Sequence, residues 1–221
     1  MIATKQKPQD EILRMCGPYK KIFLVGCGDC ATTCKTGGEE EIKKMKEFLE
    51  KEGYTVTGFI IPKAPCVAAQ LKIEMAKNKN ALKESEAMLI LACGSGVQSV
   101  KENDRLELFV LPGCDTLFGA IVDSQGIFRE KCSACGECVL EITGGICPVT
   151  LCSKGLLNGP CGGQNKGKCE VDKERDCAWV LIFKELEKKG KAELMLKIKP
   201  PKDYSKMVKP RSLSAEVIKN A

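Results

Sequence analysis

Apolar and polar residues follow one another along this chain in two rhythms, and the change between them falls near residue 125. Residues 21–26 (KIFLVG) form a short unbroken apolar run, the mark of a strand covered on both faces. The period then lengthens. Ile42, Met45, Phe48 and Leu49 recur at helical spacing behind a glutamate-rich first turn, and Gly53 ends the pattern. Residues 54–61 (YTVTGFII) read as a second strand stopped by Pro62, with a helical stretch over roughly 67–79. Residues 87–92 (AMLILA) are a third strand with a helix to follow, and 106–111 (LELFVL) a fourth, stopped by Pro112-Gly113. The polar residues 1–20 read as an arm or short helix ending at Cys16-Gly17-Pro18. Strands alternating with helices predict an α/β fold, an open parallel Rossmann-like sheet with helices on its faces, over residues 1–124.

Beyond Gln125-Gly126 the periodic pattern gives way to a cysteine- and glycine-rich module, predicted over 125–189. One helix stands out near its end, where Trp179, Ile182, Phe183 and Leu186 share a face and Gly190 stops the run. Residues 190–221 are lysine-rich, contain Pro200-Pro201 and Pro210, and read as a basic tail that is flexible or wraps a partner. Lysines are spread over the rest of the chain too, and the net charge is +6. With three Tyr and one Trp, the stacking partners of a nucleic-acid surface are scarce, so no nucleic acid is expected. No apolar run is long enough to cross a bilayer, and the first 15 residues lack the apolar core of a secretory signal. A cytoplasmic location is expected.

The chemistry lies in the cysteines. There are 15, and no histidine, which removes His-based acids, bases and triads and the mixed Cys/His zinc sites. The odd count and the tight Cys-x2-Cys spacing make poor material for a disulfide framework, and in a reducing compartment clustered cysteines point to metal or redox chemistry. Cys27, Cys30, Cys34, Cys66, Cys93 and Cys114 each follow a predicted strand. In an open α/β sheet those positions converge on the one edge where ligands bind, so a metal site is expected there. Two other readings compete for this edge. Gly26-x-Gly28 begins a dinucleotide fingerprint but lacks its third glycine, and Cys27-x2-Cys30 has the spacing of a thiol redox pair. In the module, Cys132, Cys135 and Cys138 have the Cys-x2-Cys-x2-Cys spacing that opens a ferredoxin loop around a 4Fe–4S cubane. Cys147, followed by Pro148, is a candidate fourth ligand, and Cys152, Cys161, Cys169 and Cys177 a candidate second set. Eight thiols here can serve one cluster with spares, two clusters, or a cluster and a zinc ion. The principal alternative function is a non-redox zinc-binding adaptor.

Three stretches carry a resemblance: VGCGDCATTCKTGGEEEI (residues 25–42), LACGSGVQ (91–98) and TGGICPVTLCSKGLLNGPCGG (143–163), with GKCEV and CAW after the last. The chain resembles the methylenetetrahydrofolate reductase C-terminal family, the small iron–sulfur subunit of the reductase of acetogenic and related anaerobes. The resemblance implies an electron-transfer subunit with two 4Fe–4S clusters, one in each domain. It implies a partner subunit that carries FMN and reduces 5,10-methylenetetrahydrofolate to 5-methyltetrahydrofolate, and a ferredoxin-like or other redox donor. No catalytic residue is expected in this chain, and no cofactor site beyond the metal clusters.

Overall fold

The computed structural model describes residues 1–219, and the chain divides into two compact units, Met1–Phe128 and Arg129–Ala221. The first unit opens with strand β1 (Ile2–Gln6) and helix α1 (Gln9–Cys16). There follow β2 (Lys21–Val25), the single turn α2 (Cys30–Thr33), α3 (Glu39–Lys51), β3 (Thr55–Ile60), α4 (Ala68–Lys77), α5 (Lys79–Lys83), β4 (Ala87–Ile90), α6 (Gly94–Asn103), β5 (Phe109–Pro112) and β6 (Cys114–Val122). Strand β7 (Phe128–Glu130) carries the chain into the second unit.

Strands β2 to β5 form a four-stranded parallel sheet in the order β3-β2-β4-β5, with Ile22 opposite Ala87 and Val25 opposite Ile90. The unbroken apolar runs are explained by burial on both faces. Successive side chains of a strand point to opposite sides, so Ile22 and Leu24 join Ile12, Ile42 and Leu49 under α1 and α3. Phe23 and Val25 join Leu71, Met75, Leu82 and Val100 under α4, α5 and α6.

Three local expectations change. The N-terminal arm is in part a strand: β1 pairs antiparallel with β6, from Ile2 opposite Gly119 to Gln6 opposite Cys114. Strand β6 itself lies where the sequence pattern predicts no element. The fourth parallel strand begins at Phe109 rather than Leu106, because the Asp104 carboxylate accepts from the amides of Leu106 (2.9 Å) and Leu108 (2.6 Å) and ties them into a turn. The helical stretch at 67–79 breaks at Asn78, whose side-chain amide donates to the Glu74 carbonyl at 3.0 Å, and continues as α5.

The second unit contains helices α7 (Pro148–Leu151), α8 (Ala178–Lys188) and α9 (Ala215–Lys219), with 3-10 turns at Ala192–Leu196 and Tyr204–Met207. Trp179, Ile182 and Leu186 of α8 are buried with Cys177, packed by Ile146, Cys152 and Leu156. The Trp179 indole N–H donates to the Leu156 carbonyl at 3.0 Å. Phe183, expected on that face, is 43% exposed, one step round the helix from the 179/182/186 stripe. The segment predicted as a tail carries the two 3-10 turns and α9; its last residues, Asn220 and Ala221, lie outside the described residues. No helix among the described residues is long and apolar enough to cross a membrane.

Candidate metal centres

The parallel sheet places its first strand in sequence, β2, beside its third, β4, with the second, β3, on β2's far side. Connections from β2 and β4 therefore leave in opposite directions, and a crevice opens between their carboxyl ends. The loop after β2 is folded tightly over this crevice. The Cys27 amide donates to the Gly37 carbonyl at 2.9 Å and the Gly37 amide to the Ala31 carbonyl at 3.2 Å. Gly37 presses against the end of β4 so closely that an added Cβ would stand 1.8 Å from the Leu91 carbonyl oxygen.

Six predicted residues meet at this edge. Cys27 precedes α2, Cys30 begins it and Cys34 caps its end. Cys66 lies in the connection after β3, Cys93 is the N-cap of α6 after β4, and Cys114 opens β6 immediately after β5. Cys27, Cys93 and Cys114 are buried, Cys30 and Cys34 half-buried, and Cys66 exposed. Their proximity is visible in their mutual electrostatics. Burial pushes the Cys66 thiol up, and the neighbouring Cys93, then Cys27 and Asp29, push the same way against a hydrogen bond from its own backbone. Cys30 is raised by burial, opposed by its bond to the Ile2 amide and reinforced by Asp29 and Cys27. Burial holds Cys114 up at about 12, against its bond to Thr36, and Asp115, Cys34 and Cys93 add to the rise.

The strand missed in the sequence backs this edge. The Ile2 amide donates to Cys30 Sγ (3.4 Å), and Cys34 Sγ donates to the Ile2 carbonyl (3.6 Å). One residue pair further along, the buried hydroxyls of Thr4 and Thr36 meet at 2.7 Å, and Cys114 Sγ donates to the Thr36 carbonyl at 3.5 Å. From β6, Thr116 Oγ1 accepts from the Gly94 amide at 2.7 Å, at the start of α6 beside Cys93. Nothing in a five-residue polar-apolar stretch distinguishes such a supporting strand until its distant partner is known. Cys16, outside the candidate set, is fully buried in the core, and burial alone pushes its thiol up to about 11.

In the second unit the triplet lies in an open loop. Ala134 (φ +52°) and Gly136 (φ +78°) take left-handed conformations, which turn successive amides the same way. The Ala134 amide donates to Cys132 Sγ at 3.4 Å, and Cys135 Sγ donates to the Glu137 carbonyl at 3.5 Å. Burial raises the Cys135 thiol, but its bond at Glu137 and the Lys202 ammonium outweigh that and hold it below the ordinary range. Cys147 caps the start of α7 and donates to Thr150 Oγ1 at 3.6 Å.

Of the remaining four thiols, Cys161 and Cys169 are held by short polar links. Cys152 ends α7 and packs against the buried cluster that includes Cys177, the N-cap of α8. Cys169 donates to Ser153 Oγ at 3.6 Å, and that bond heads the causes that lower its pKa. Cys161 donates to the Glu170 carboxylate and accepts from the Gly163 amide, both at 3.4 Å, while Lys154 pairs with Glu170. Lys202, Glu137, Ser153 and Glu170 carried no signal in the sequence, because the cysteines they serve are brought to them by folding.

All 15 cysteines are free thiols. A donor set made wholly of thiols suits sulfur-seeking groups, iron–sulfur clusters among them. Among the described residues no three His, Cys, Asp or Glu side chains are arranged to hold a single ion. A polynuclear cluster presents separate corners to its thiolates, so its ligands stand farther apart than those of one ion. A cleft of about 320 Å³, lined by Lys72, Met75, Leu82, Arg105 and Leu106 among others, lies at the opposite edge of the sheet.

Fold and site together define an α/β protein with thiols gathered at the carboxyl edge of a doubly wound sheet, followed by a thiol-rich unit of little regular structure. Residues 111–205, a segment that holds Cys114 and all eight cysteines of the second unit, match the family model described as methylene-tetrahydrofolate reductase C terminal. No curated protein and no solved structure matches the chain.

Proposed function

We propose that this chain is the electron-transfer subunit of a methylenetetrahydrofolate reductase. It relays electrons through 4Fe–4S clusters to the FMN of a catalytic partner subunit, which reduces 5,10-methylenetetrahydrofolate to 5-methyltetrahydrofolate. The observation that carries the reading is the gathering of thiols from four separate strand ends at one sheet edge, in a chain whose second half matches the C-terminal region of that reductase. Cys27, Cys30, Cys34, Cys66, Cys93 and Cys114 are the candidate ligands in the first unit. Cys132, Cys135, Cys138 and Cys147, and then Cys152, Cys161, Cys169 and Cys177, are the candidates in the second.

A bound cluster supplies one-electron redox chemistry. The chain's own residues set how readily that happens. The amides of Ile2, Ala134 and Gly163 each point at a thiol sulfur at 3.4 Å, and an N–H aimed at sulfur stabilises the added negative charge and raises the potential. Burial of Cys27, Cys93 and Cys114 excludes water from one side of the first group. Hydride transfer to the folate belongs to the partner's flavin, and the donor is a ferredoxin-like protein or another one-electron carrier.

The test is iron, zinc and acid-labile sulfide per chain on anaerobically purified protein, with an EPR spectrum after dithionite reduction. About eight irons with matching sulfide is the result expected for two cubanes. Zinc alone, colourless and EPR-silent, would replace the relay with a metal-folded adaptor. Folate reduction by the isolated chain would also overturn the proposal.

A further inference from the structure

Residues 199–211 form a strap across the second unit. At its start the Asn158 side chain brackets Lys199: its amide donates to the Lys199 carbonyl at 2.9 Å and its oxygen accepts from the Lys199 amide at 2.8 Å. Further on, the strap grips the loop of the cysteine triplet. The Glu137 carboxylate accepts from Lys206 Nζ at 2.6 Å and from the Asp203 amide at 3.1 Å. Arg211 Nη1 donates to the Ala134 carbonyl at 3.1 Å and to the Lys206 carbonyl at 2.9 Å, closing the strap on itself. Gly136 lies flat against it, since an added Cβ would stand 2.9 Å from Lys206 Cβ.

Between these anchors lies Lys202, 7% exposed and the one charged side chain among the buried polar residues described. Its ammonium donates to the Glu137 carbonyl. A neutral carbonyl does not balance a buried cation, and burying an ammonium without a counter-charge costs several kcal/mol. The Glu137 carboxylate is close enough to feel the Lys202 charge, but its hydrogen bonds go to Lys206 and the Asp203 amide. The Glu137 carbonyl also accepts from Cys135 Sγ at 3.5 Å, which brings the ammonium beside that sulfur, on which it acts both as a hydrogen-bond partner and as a charge.

We infer that Lys202 is a positioning residue for the Cys132–Cys138 loop: held down by the strap, it supplies the positive charge that compensates the thiolates and the electron accepted there. This rests on the proposal that the loop holds a 4Fe–4S cluster. A fixed cation beside such a group favours its reduced form, which carries one more negative charge.

The test compares Lys202→Met, Lys202→Gln and Lys202→Arg in the full chain, each assayed for iron and sulfide and titrated by EPR-monitored reduction with dithionite. Both neutral variants should lower the midpoint potential of the triplet's cluster by a factor of at least about ten in the reduced-to-oxidised ratio, ~59 mV for one electron. The arginine variant should stay near wild type. Unchanged potentials in iron-loaded Lys202→Met and Lys202→Gln would overturn the inference and leave the relay intact. If the neutral variants do not load iron, retention by Lys202→Arg supports a requirement for charge, and equal loss in all three refutes it. Wild-type protein without iron would fail the underlying proposal instead.

Discussion

Gly37→Ala should uncouple the candidate thiol edge from the sheet that supports it. The new methyl would stand 1.8 Å from the Leu91 carbonyl oxygen, 2.8 Å from its carbonyl carbon and 3.0 Å from its Cβ. Two of these atoms are backbone, and Leu91 is fully buried, so no side-chain rotation relieves the clash. The loop must lift instead. Overpacking of a tight interior site costs about 1–3 kcal/mol. Lifting also strains the Cys27–Gly37 and Gly37–Ala31 hydrogen bonds, each with a net contribution of about 1 kcal/mol. The sum is about 3–5 kcal/mol, which for a domain the size of the first unit lowers Tm by roughly 15 °C. Calorimetry of the metal-free protein reads this directly, with Gly119→Ala as the control in the same unit. Gly119 has nothing within 4 Å of an added Cβ, so its variant should stay within about 0.5 kcal/mol of wild type. On the proposed cluster reading, iron should be lost from the first unit's site first in anaerobically purified Gly37→Ala protein. A Gly37→Ala protein as stable as the Gly119 control would show that the loop is not seated on β4 as described.

Three further outcomes are expected. Cys16 ionises at about 11 in the fold against 9.0 as its ordinary value, so the unfolded chain gives up its proton first as pH rises. Its contribution is full below pH 9 and is lost towards pH 11, up to roughly 3 kcal/mol. Urea midpoints of the metal-free protein at pH 8 and pH 10.5 should diverge less in Cys16→Ala than in wild type, and equal divergence would remove Cys16 as the cause. Thr4→Val removes one partner of the Thr4–Thr36 pair, while Thr36 keeps its bond to the Ala31 carbonyl; a loss of about 1 kcal/mol is expected, and a stabilised variant would show that the pair does not anchor β1. On the proposed relay, the net charge of +6 should steer an acidic electron donor, so stopped-flow reduction should slow steeply with added salt, and a flat response would count against steering.

Much of the parallel sheet was legible because its strands are buried on both faces. Residues 22–26 (IFLVG) and 87–92 (AMLILA) are apolar throughout, and the intervening helix α3 shows its period in Ile42, Met45 and Leu49. The same topology made Cys27, Cys66, Cys93 and Cys114 readable as neighbours, since strand ends in a parallel sheet share an edge whatever their separation in sequence. β1 and β6 were not legible in the same way. β1 has five residues and β6 nine, both are partly exposed, and their pairing joins residues more than a hundred positions apart; local pattern carries no record of a distant partner.

The sequence by itself determined the chemistry available: thiols without histidine, in the spacings that suit sulfur-bound metal, on an α/β scaffold. Tertiary structure alone decided what stands beside each thiol. Ile2 reaches Cys30 and Cys34 only because β1 pairs with β6, and Lys202 reaches Cys135 only because the strap returns across 65 positions to Glu137. Ligand type is a property of the residue, written at its own position. The field around it is a sum over neighbours brought together by folding, and no local rhythm of apolar and polar residues encodes that sum.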